Sequence, residues 1–282
     1  MQLQDINWLH VEASSRCNAW CPACPRNNQG FGLAPGIVEK DLEPSIFEDI
    51  VSSLPNLKVI QFCGNLGDPI ASSYILDLLT IANKSVEKVQ IHTNGSLRTT
   101  TWWKQLAEEL SNINHDVWFG LDGLDDTHEI YRQGTSFKKI IANAKSFIDA
   151  GGHATWQFIP YQHNEHQIMS ALKMSQKLGF KKFHLAKLYR KQSKAKHYKT
   201  GQEFELLPTV SLAKLTTMHR IKKIPEPSQC MHLHTNSIYL AATGEISRCC
   251  YFSYDEKYFN VQNFLDKAVV DLSNKTCIMQ CG

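Results

Sequence analysis

Three cysteines fall within eight residues, in the run Cys17-Asn18-Ala19-Trp20-Cys21-Pro22-Ala23-Cys24. Thiolates held that close on a short loop are soft ligands for an iron–sulfur cluster or for zinc. Three cysteines cannot satisfy every iron of a [4Fe–4S] cluster, so one iron stays open to a non-protein ligand. An open iron is a place for chemistry. The alternative is half of a structural zinc site, which needs a fourth ligand and usually shows paired Cys-x-x-Cys knuckles. The spacing favours the cluster.

Such a loop needs a scaffold, and the chain supplies one by alternation. Short apolar runs at Ile6–Glu12, Leu57–Phe62, Lys88–His92, Val117–Leu121, Thr155–Pro160 and Lys182–Leu188 predict six strands. Between them, residues 44–54, 72–83, 100–112, 137–150 and 165–178 predict helices. Strand-then-helix repetition implies parallel strands joined by right-handed crossovers. Six strands are too few for a closed eight-stranded barrel. In a barrel-like sheet the chemistry sits at the carboxyl ends of the strands, and the cysteine loop follows the first strand.

Composition narrows the class. The chain has 282 residues, 43% hydrophobic and 20% charged, enough for one sizeable domain and a small one. No apolar run is long enough to span a membrane, and no basic-then-apolar signal pattern opens the sequence, so a cytoplasmic location without a membrane partner is expected. Nine cysteines, an odd number, point to thiolate ligands rather than a disulfide framework. A net charge of +3 is too small to imply a nucleic-acid partner.

The Cys-x-x-x-Cys-x-x-Cys loop, with an aromatic residue before its second cysteine, resembles the signature of the radical S-adenosylmethionine (radical SAM) enzymes. Three further segments carry the resemblance in order. Cys63-Gly64-Asn65-Leu66-Gly67-Asp68-Pro69 is similar to the family's Gly-Gly-x-Gly-Glu-Pro variant, with Asp in place of Glu. Ile91-His92-Thr93-Asn94-Gly95 resembles the Thr-Asn-Gly at the end of its third strand, and Leu121-Asp122-Gly123, with His128 and Arg132, its fourth-strand segment. The implied fold is α/β: a partial (β/α)6 TIM-like barrel over residues 1–206, with a small C-terminal α+β extension over 207–282.

The resemblance also implies roles. Cys17, Cys21 and Cys24 would bind the catalytic [4Fe–4S] cluster, whose open iron takes S-adenosylmethionine. Gly64, Asn65, Gly67 and Asp68 would approach its methionine end, glycine allowing close backbone contact. Trp20 would lie near adenine, while Thr93, Asn94 and Asp122 would bond ribose or amine groups, and Arg132 the carboxylate. Gly120 stands where the family often has Ser, which removes one ribose contact. The partners implied are an electron donor such as flavodoxin or ferredoxin and a small-molecule or peptide substrate.

Cys230, Cys249, Cys250, Cys277 and Cys281 crowd the C-terminal end. The spacing from Cys230 through Gly244 to Cys249 resembles the opening of SPASM and twitch extensions, which carry auxiliary clusters. Asn260–Phe264 fits the same extension. Five cysteines imply one auxiliary [4Fe–4S] cluster on Cys230, Cys249, Cys277 and Cys281, with four-cysteine zinc as the alternative. A helix over Pro208–Ile221 and a hairpin of 237–242 and 245–249 turning at Thr243-Gly244 are predicted. Cys250, next to Cys249 on a strand, would face the other way. Cys63 reads as a small core residue, and the basic stretch Lys187–Lys199 as a solvated loop.

No side chain is singled out as the catalytic base. Inward strand-end residues form the pool for substrate contact: His10, Glu12, His92, Gln157, Tyr161, His184 and Lys187. The expected activity is hydrogen abstraction from a small polar metabolite, assisted by the auxiliary cluster, as in an oxidoreductase. With the first strand expected at about residue 6, no leader-peptide-binding module is expected ahead of it, which tilts the reading to the metabolite. Maturation of a ribosomal peptide by cross-linking or epimerisation is the alternative, and a zinc-binding non-enzyme the second.

Overall fold

The computed structural model describes residues 2–186, 194–209, 236–250 and 261–267. All six predicted strands form: β1 (Trp8–Val11), β2 (Val59–Cys63), β3 (Lys88–Thr93), β4 (Asn114–Gly120), β5 (Ala154–Phe158) and β6 (Lys182–Leu185). They pair in parallel in chain order. The predicted helices appear as α1 (Pro44–Ser52), α2 (Ile75–Ser85), α3 (Thr100–Glu109), α5 (Phe137–Asp149) and α6 (Ile168–Leu178). Local chemistry sets their ends. The Thr99 and Ser136 hydroxyls accept from Trp102 N and Lys139 N at the starts of α3 and α5. Gly179 ends α6 at φ 88°, a left-handed residue that glycine adopts without a Cβ clash.

In β1, β2 and β3 buried and half-buried residues alternate. Leu9, Val11, Ile60, Phe62, Val89, Ile91, Val117, Phe119, Trp156 and Phe158 are fully buried in one hydrophobic core with the helices. Their neighbours in sequence point to the opposite face. That face carries His10, Gln61, Cys63, His92, Trp118, Gln157 and His184. Its groups bond one another: Trp8 Nε1 donates to Gln61 Oε1 at 3.2 Å, and Gln61 Nε2 lies 3.3 Å from His92 Nε2. The His92 ring stacks on Trp118 at 4.7 Å.

Two features differ from expectation. A short helix, α4 (His128–Tyr131), interrupts the segment after β4. The basic stretch is not only a loop: Lys194–Lys196 forms strand β7, antiparallel to β8 (Glu203–Glu205). Lysines facing glutamates across the ladder favour pairing, and Lys196 Nζ sits 3.3 Å from Glu203 Oε1. Residues 187–193, with Lys187, lie outside the described residues.

The predicted hairpin forms as β9 (Ser237–Leu240) and β10 (Ile246–Ser247), turning at Gly244 with φ +93°. It does not stand alone. β9 runs parallel to β1, pairing Trp8 with Ser237 and Val11 with Leu240. The sheet is therefore open, in the order β10-β9-β1-β2-β3-β4-β5-β6. A helix covers Val261–Lys267. Most of the predicted helix Pro208–Ile221, together with Cys230, Cys277 and Cys281, lies outside the described residues. Among the described residues no helix is long and apolar enough to cross a membrane.

Burial sets an acid limit on this fold. His92 is pushed down to about 3 by burial and by the neighbouring His10 and His184. His128 is pushed down to about 3 by burial and by Arg132. His128 Nδ1 accepts from Asp122 N at 3.2 Å, so Nε2 carries the proton toward Thr135 Oγ1 at 3.0 Å. Above pH ~6.5 both rings are neutral, folded or unfolded. Below it the unfolded chain takes protons that the fold refuses, so stability falls as pH drops from ~6.5 toward 3. Each ring contributes a slope of up to about 1.4 kcal/mol per pH unit. Urea titrations between pH 7 and 5 should show this loss, and His92→Gln should flatten it by up to one proton.

Candidate functional site

The cysteine loop leaves β1 and ends in a short 3-10 helix, Pro25–Gly30. Cys21 is buried, and Cys17 and Cys24 are half-buried. Asn27, itself buried, holds the loop's shape: its Nδ2 donates to the carbonyls of Ala19 and Cys21 at 3.2 Å each. Two donors reach the Cys17 sulfur, Ala19 N at 3.3 Å and Asn94 Nδ2 at 3.6 Å. Buried Arg26 ties this loop to the next, donating to the carbonyls of Ser15 and Leu66 and pairing with Glu39.

The second loop follows β2 and lies against the first. A Cβ on Gly67 would stand 1.9 Å from the Ser14 carbonyl oxygen, and one on Gly64 1.7 Å from that of Gly67. Only glycine fits either place. Asp68 N donates to Arg16 O at 2.8 Å. The Asp68 carboxylate accepts from Ile70 N, Thr93 Oγ1 and Asn94 N at 3.0, 2.8 and 2.7 Å. Burial raises this carboxyl's pKa and those donors pull it back. Asp68 thus joins the ends of β2 and β3 as a cap. Asn94 Nδ2 then reaches Asn18 Oδ1 at 3.0 Å, closing a ring of contacts around Cys17.

Arg132 enters from α4. Its Nε lies 2.5 Å from Asp122 Oδ2, and Asp122 Oδ1 also accepts from Ile159 N at 2.6 Å. Burial raises the Asp122 carboxyl's pKa, and Arg132 and the Ile159 amide oppose it. The guanidinium fills the space a Cβ on Gly120 would need, 2.6 Å from Nη2. That is a local reason for glycine at this position.

These elements meet at one cavity of about 340 Å³ at the carboxyl end of the sheet. Cys17, Cys21 and Cys24 line it. So do Gly64, Asn65, Gly67 and Asp68 from the second loop, Thr93 and Asn94 from the third, and Arg132. From the inward pool, His92, Gln157 and Tyr161 reach it. His10, Glu12 and His184 of that pool do not line it, and neither do two of the residues expected to bind S-adenosylmethionine. Trp20 stacks instead on Tyr198, with centroids 5.8 Å apart, and Asp122 lies buried behind Arg132. Cys63 is not a core residue: it stands half-buried on the polar face and lines the cavity, because its strand register puts it opposite Phe62. Asn27 and Tyr131 also line it and carry no sequence signal, since both come from short helices without a periodic pattern. Cys249 and Cys250 lie beyond β10 and not on a strand as expected, so strand alternation does not set their directions; Cys249 is buried, and the Cys250 carbonyl accepts from Asn65 Nδ2 at 3.0 Å.

The donor set fits an iron–sulfur cluster. Burial, with the Asp68 charge, drives the Cys17 thiol up, and burial pushes Cys21 up to about 12 against the pull of Arg132. Such thiols ionise when a metal cation takes the proton's place. Among the described residues no three Cys, His, Asp or Glu side chains are arranged to hold one metal ion. A cluster takes each thiolate on a separate iron, so its ligands need not converge on a point.

Comparison with known proteins agrees with this geometry. A segment of 129 residues is 30% identical to the tungsten-containing aldehyde ferredoxin oxidoreductase cofactor-modifying protein of Pyrococcus furiosus, covering 46% of this chain and 34% of that protein. Streptococcus suis SuiB, solved bound to S-adenosylmethionine, superposes with a TM-score of 0.63 at 15% identity, over 90% of this chain and 62% of its own. Native anSMEcpe with bound AdoMet gives a TM-score of 0.62 at 15% identity, over 97% of this chain and 82% of its own. This chain thus spans about a third of the Pyrococcus protein and less than two thirds of SuiB. The profile of the Radical SAM superfamily matches residues 11–175, the stretch that holds all three cavity loops and Arg132, and by that match the chain belongs to the Radical SAM superfamily.

Proposed function

We propose that this chain cleaves S-adenosylmethionine reductively and uses the radical formed to take a hydrogen atom from a peptide side chain. One observation supports the reading most: three thiols and a glycine loop that only glycine can build face the same cavity. The cluster on Cys17, Cys21 and Cys24, with S-adenosylmethionine, would supply a 5′-deoxyadenosyl radical after one electron arrives from a donor such as flavodoxin or ferredoxin. The chain's own residues do the positioning. Gly64 and Gly67 let the second loop fold tightly on itself and against the first, Asp68 locks two loops together, and Arg132 presents a fixed positive charge. Thr93 and Asn94 keep their side chains bound to Asp68 and Asn18, so they shape the cavity wall.

The peptide substrate draws support from two neighbours in fold, SuiB bound to its precursor peptide SuiA and anSMEcpe bound to the Cp18Cys peptide. Tyr131 and Tyr161, 5.0 Å apart, and Gln157 offer an uncharged wall suited to an amide-bearing chain. A small polar metabolite is the second reading, favoured by the cofactor-modifying name of the Pyrococcus relative. An auxiliary [4Fe–4S] cluster on Cys230, Cys249, Cys277 and Cys281 in a twitch-type extension belongs to the same proposal.

The test is anaerobic incubation of reduced, iron-loaded protein with S-adenosylmethionine. It should release 5′-deoxyadenosine and methionine slowly, and faster with substrate. Methylthioadenosine as the sole nucleoside would mean that a different bond breaks. Stimulation by peptides but not by small polar compounds separates the two substrate readings.

A further inference from the structure

Glu12 is a buried carboxylate, 2% exposed, at the end of β1. Its Oε1 accepts from Leu66 N at 2.5 Å and from Gly67 N at 2.9 Å, both in the glycine loop. Its Oε2 accepts from the hydroxyl of Tyr239 on β9. Tyr239 is fully buried and lies edge-on to His10, with centroids 5.0 Å apart. The same hairpin touches the loop again through the bond from Asn65 Nδ2 to the Cys250 carbonyl. The loop has few side chains to pack, so these bonds, beside those of Arg26 and Asp68, hold its shape.

We infer that Tyr239, acting through Glu12, is a positioning residue for the Gly64–Asp68 loop, which makes the C-terminal hairpin part of the S-adenosylmethionine site. A trans peptide carries its N–H and the preceding carbonyl on opposite sides. Holding the N–H of Leu66 toward Glu12 therefore aims the Asn65 carbonyl away from it. Holding the N–H of Gly67 does the same for the Leu66 carbonyl, which Arg26 meets at 3.2 Å. The carboxylate thus sets where the loop presents its backbone acceptors. Tyr239 in turn sets the rotamer of the carboxylate, and a phenol donating to a buried carboxylate is a strong, directional bond. Burial raises the Glu12 carboxyl's pKa, and the Tyr239 hydroxyl and loop amides oppose that shift.

The inference rests on the proposal that this loop receives S-adenosylmethionine. Its test measures S-adenosylmethionine binding by equilibrium dialysis to anaerobic, iron-loaded protein, with iron content and thermal midpoint recorded alongside. Tyr239→Phe should weaken binding about tenfold with iron content unchanged, the effect of losing one bond to a charged group. It should also reduce the change in the cluster's electron paramagnetic resonance signal when S-adenosylmethionine is added. Glu12→Gln keeps an acceptor for both amides, so its affinity should fall between wild type and Glu12→Ala. Ser175→Ala is the control for lost stability alone: its hydroxyl donates to Leu172 O at 2.8 Å, neither residue lines the cavity, and its loss should leave affinity unaltered. Wild-type affinity in Tyr239→Phe overturns the inference, whatever Glu12→Ala shows. Wild-type protein that binds no S-adenosylmethionine overturns the reading of the loop itself, and the inference with it.

Discussion

Alanine at Cys17, Cys21 and Cys24 together is expected to remove about four irons per chain, one cluster's worth, and to abolish release of 5′-deoxyadenosine. The effect is total because all three thiolate ligands of the cluster are lost at once. The cavity holds one more thiol, Cys63, at the end of β2. Packing losses should be small, since cysteine is a small apolar side chain and trimming it costs about 1 kcal/mol. The triple variant should therefore stay folded by circular dichroism. Iron left after the substitution reports on the auxiliary site: about four irons supports a second cluster, and none argues against it. Iron content equal to wild type would show that the N-terminal cysteines hold no metal.

The largest loss of stability is expected at Asp122. Its carboxylate is fully buried and balances the Arg132 guanidinium at 2.5 Å while capping the Ile159 amide. Asp122→Ala strands a buried positive charge and an amide at once, which costs about 3–5 kcal/mol. Asp122→Asn keeps an acceptor for Ile159 and should cost less. Guanidinium denaturation with an unchanged m-value would measure both. A loss under ~1 kcal/mol for the alanine variant would mean that Arg132 has another anion to turn to. Because Arg132 also fills the space beside Gly120, the same variant should alter the cavity wall.

The six parallel strands were legible because each apolar run has the right length and alternates with an amphipathic helix. The three cavity loops were legible because a few residue types at fixed spacing mark them. Trp20 was not, since nothing in its neighbourhood announces Tyr198, which comes from a strand pair beyond β6. The parallel pairing of β9 with β1 was equally hidden. A hairpin signal such as Thr243-Gly244 reports local turning, while the choice of neighbour depends on faces buried far away in sequence. Glu12 stood in a strand as one polar residue among several, and its three hydrogen bonds exist only once two distant segments are brought beside it. Cys63 misled for a simpler reason: apolar neighbours in sequence lie on the opposite face of a strand.

The parallel pairing of Trp8–Val11 with Ser237–Leu240 also carries a consequence for the order of assembly. During synthesis β1 emerges first and can pair with β2 at once, but its other side stays open until β9 is made. An open strand edge is a template for wrong partners, and a contact closed across nearly the whole chain is slow to form. The nascent sheet thus passes through a stage in which β1 is exposed and Glu12 lacks the Tyr239 hydroxyl. A chaperone or an early-loaded cluster would find its use at that stage, and chains halted before Ser237 are the ones expected to aggregate.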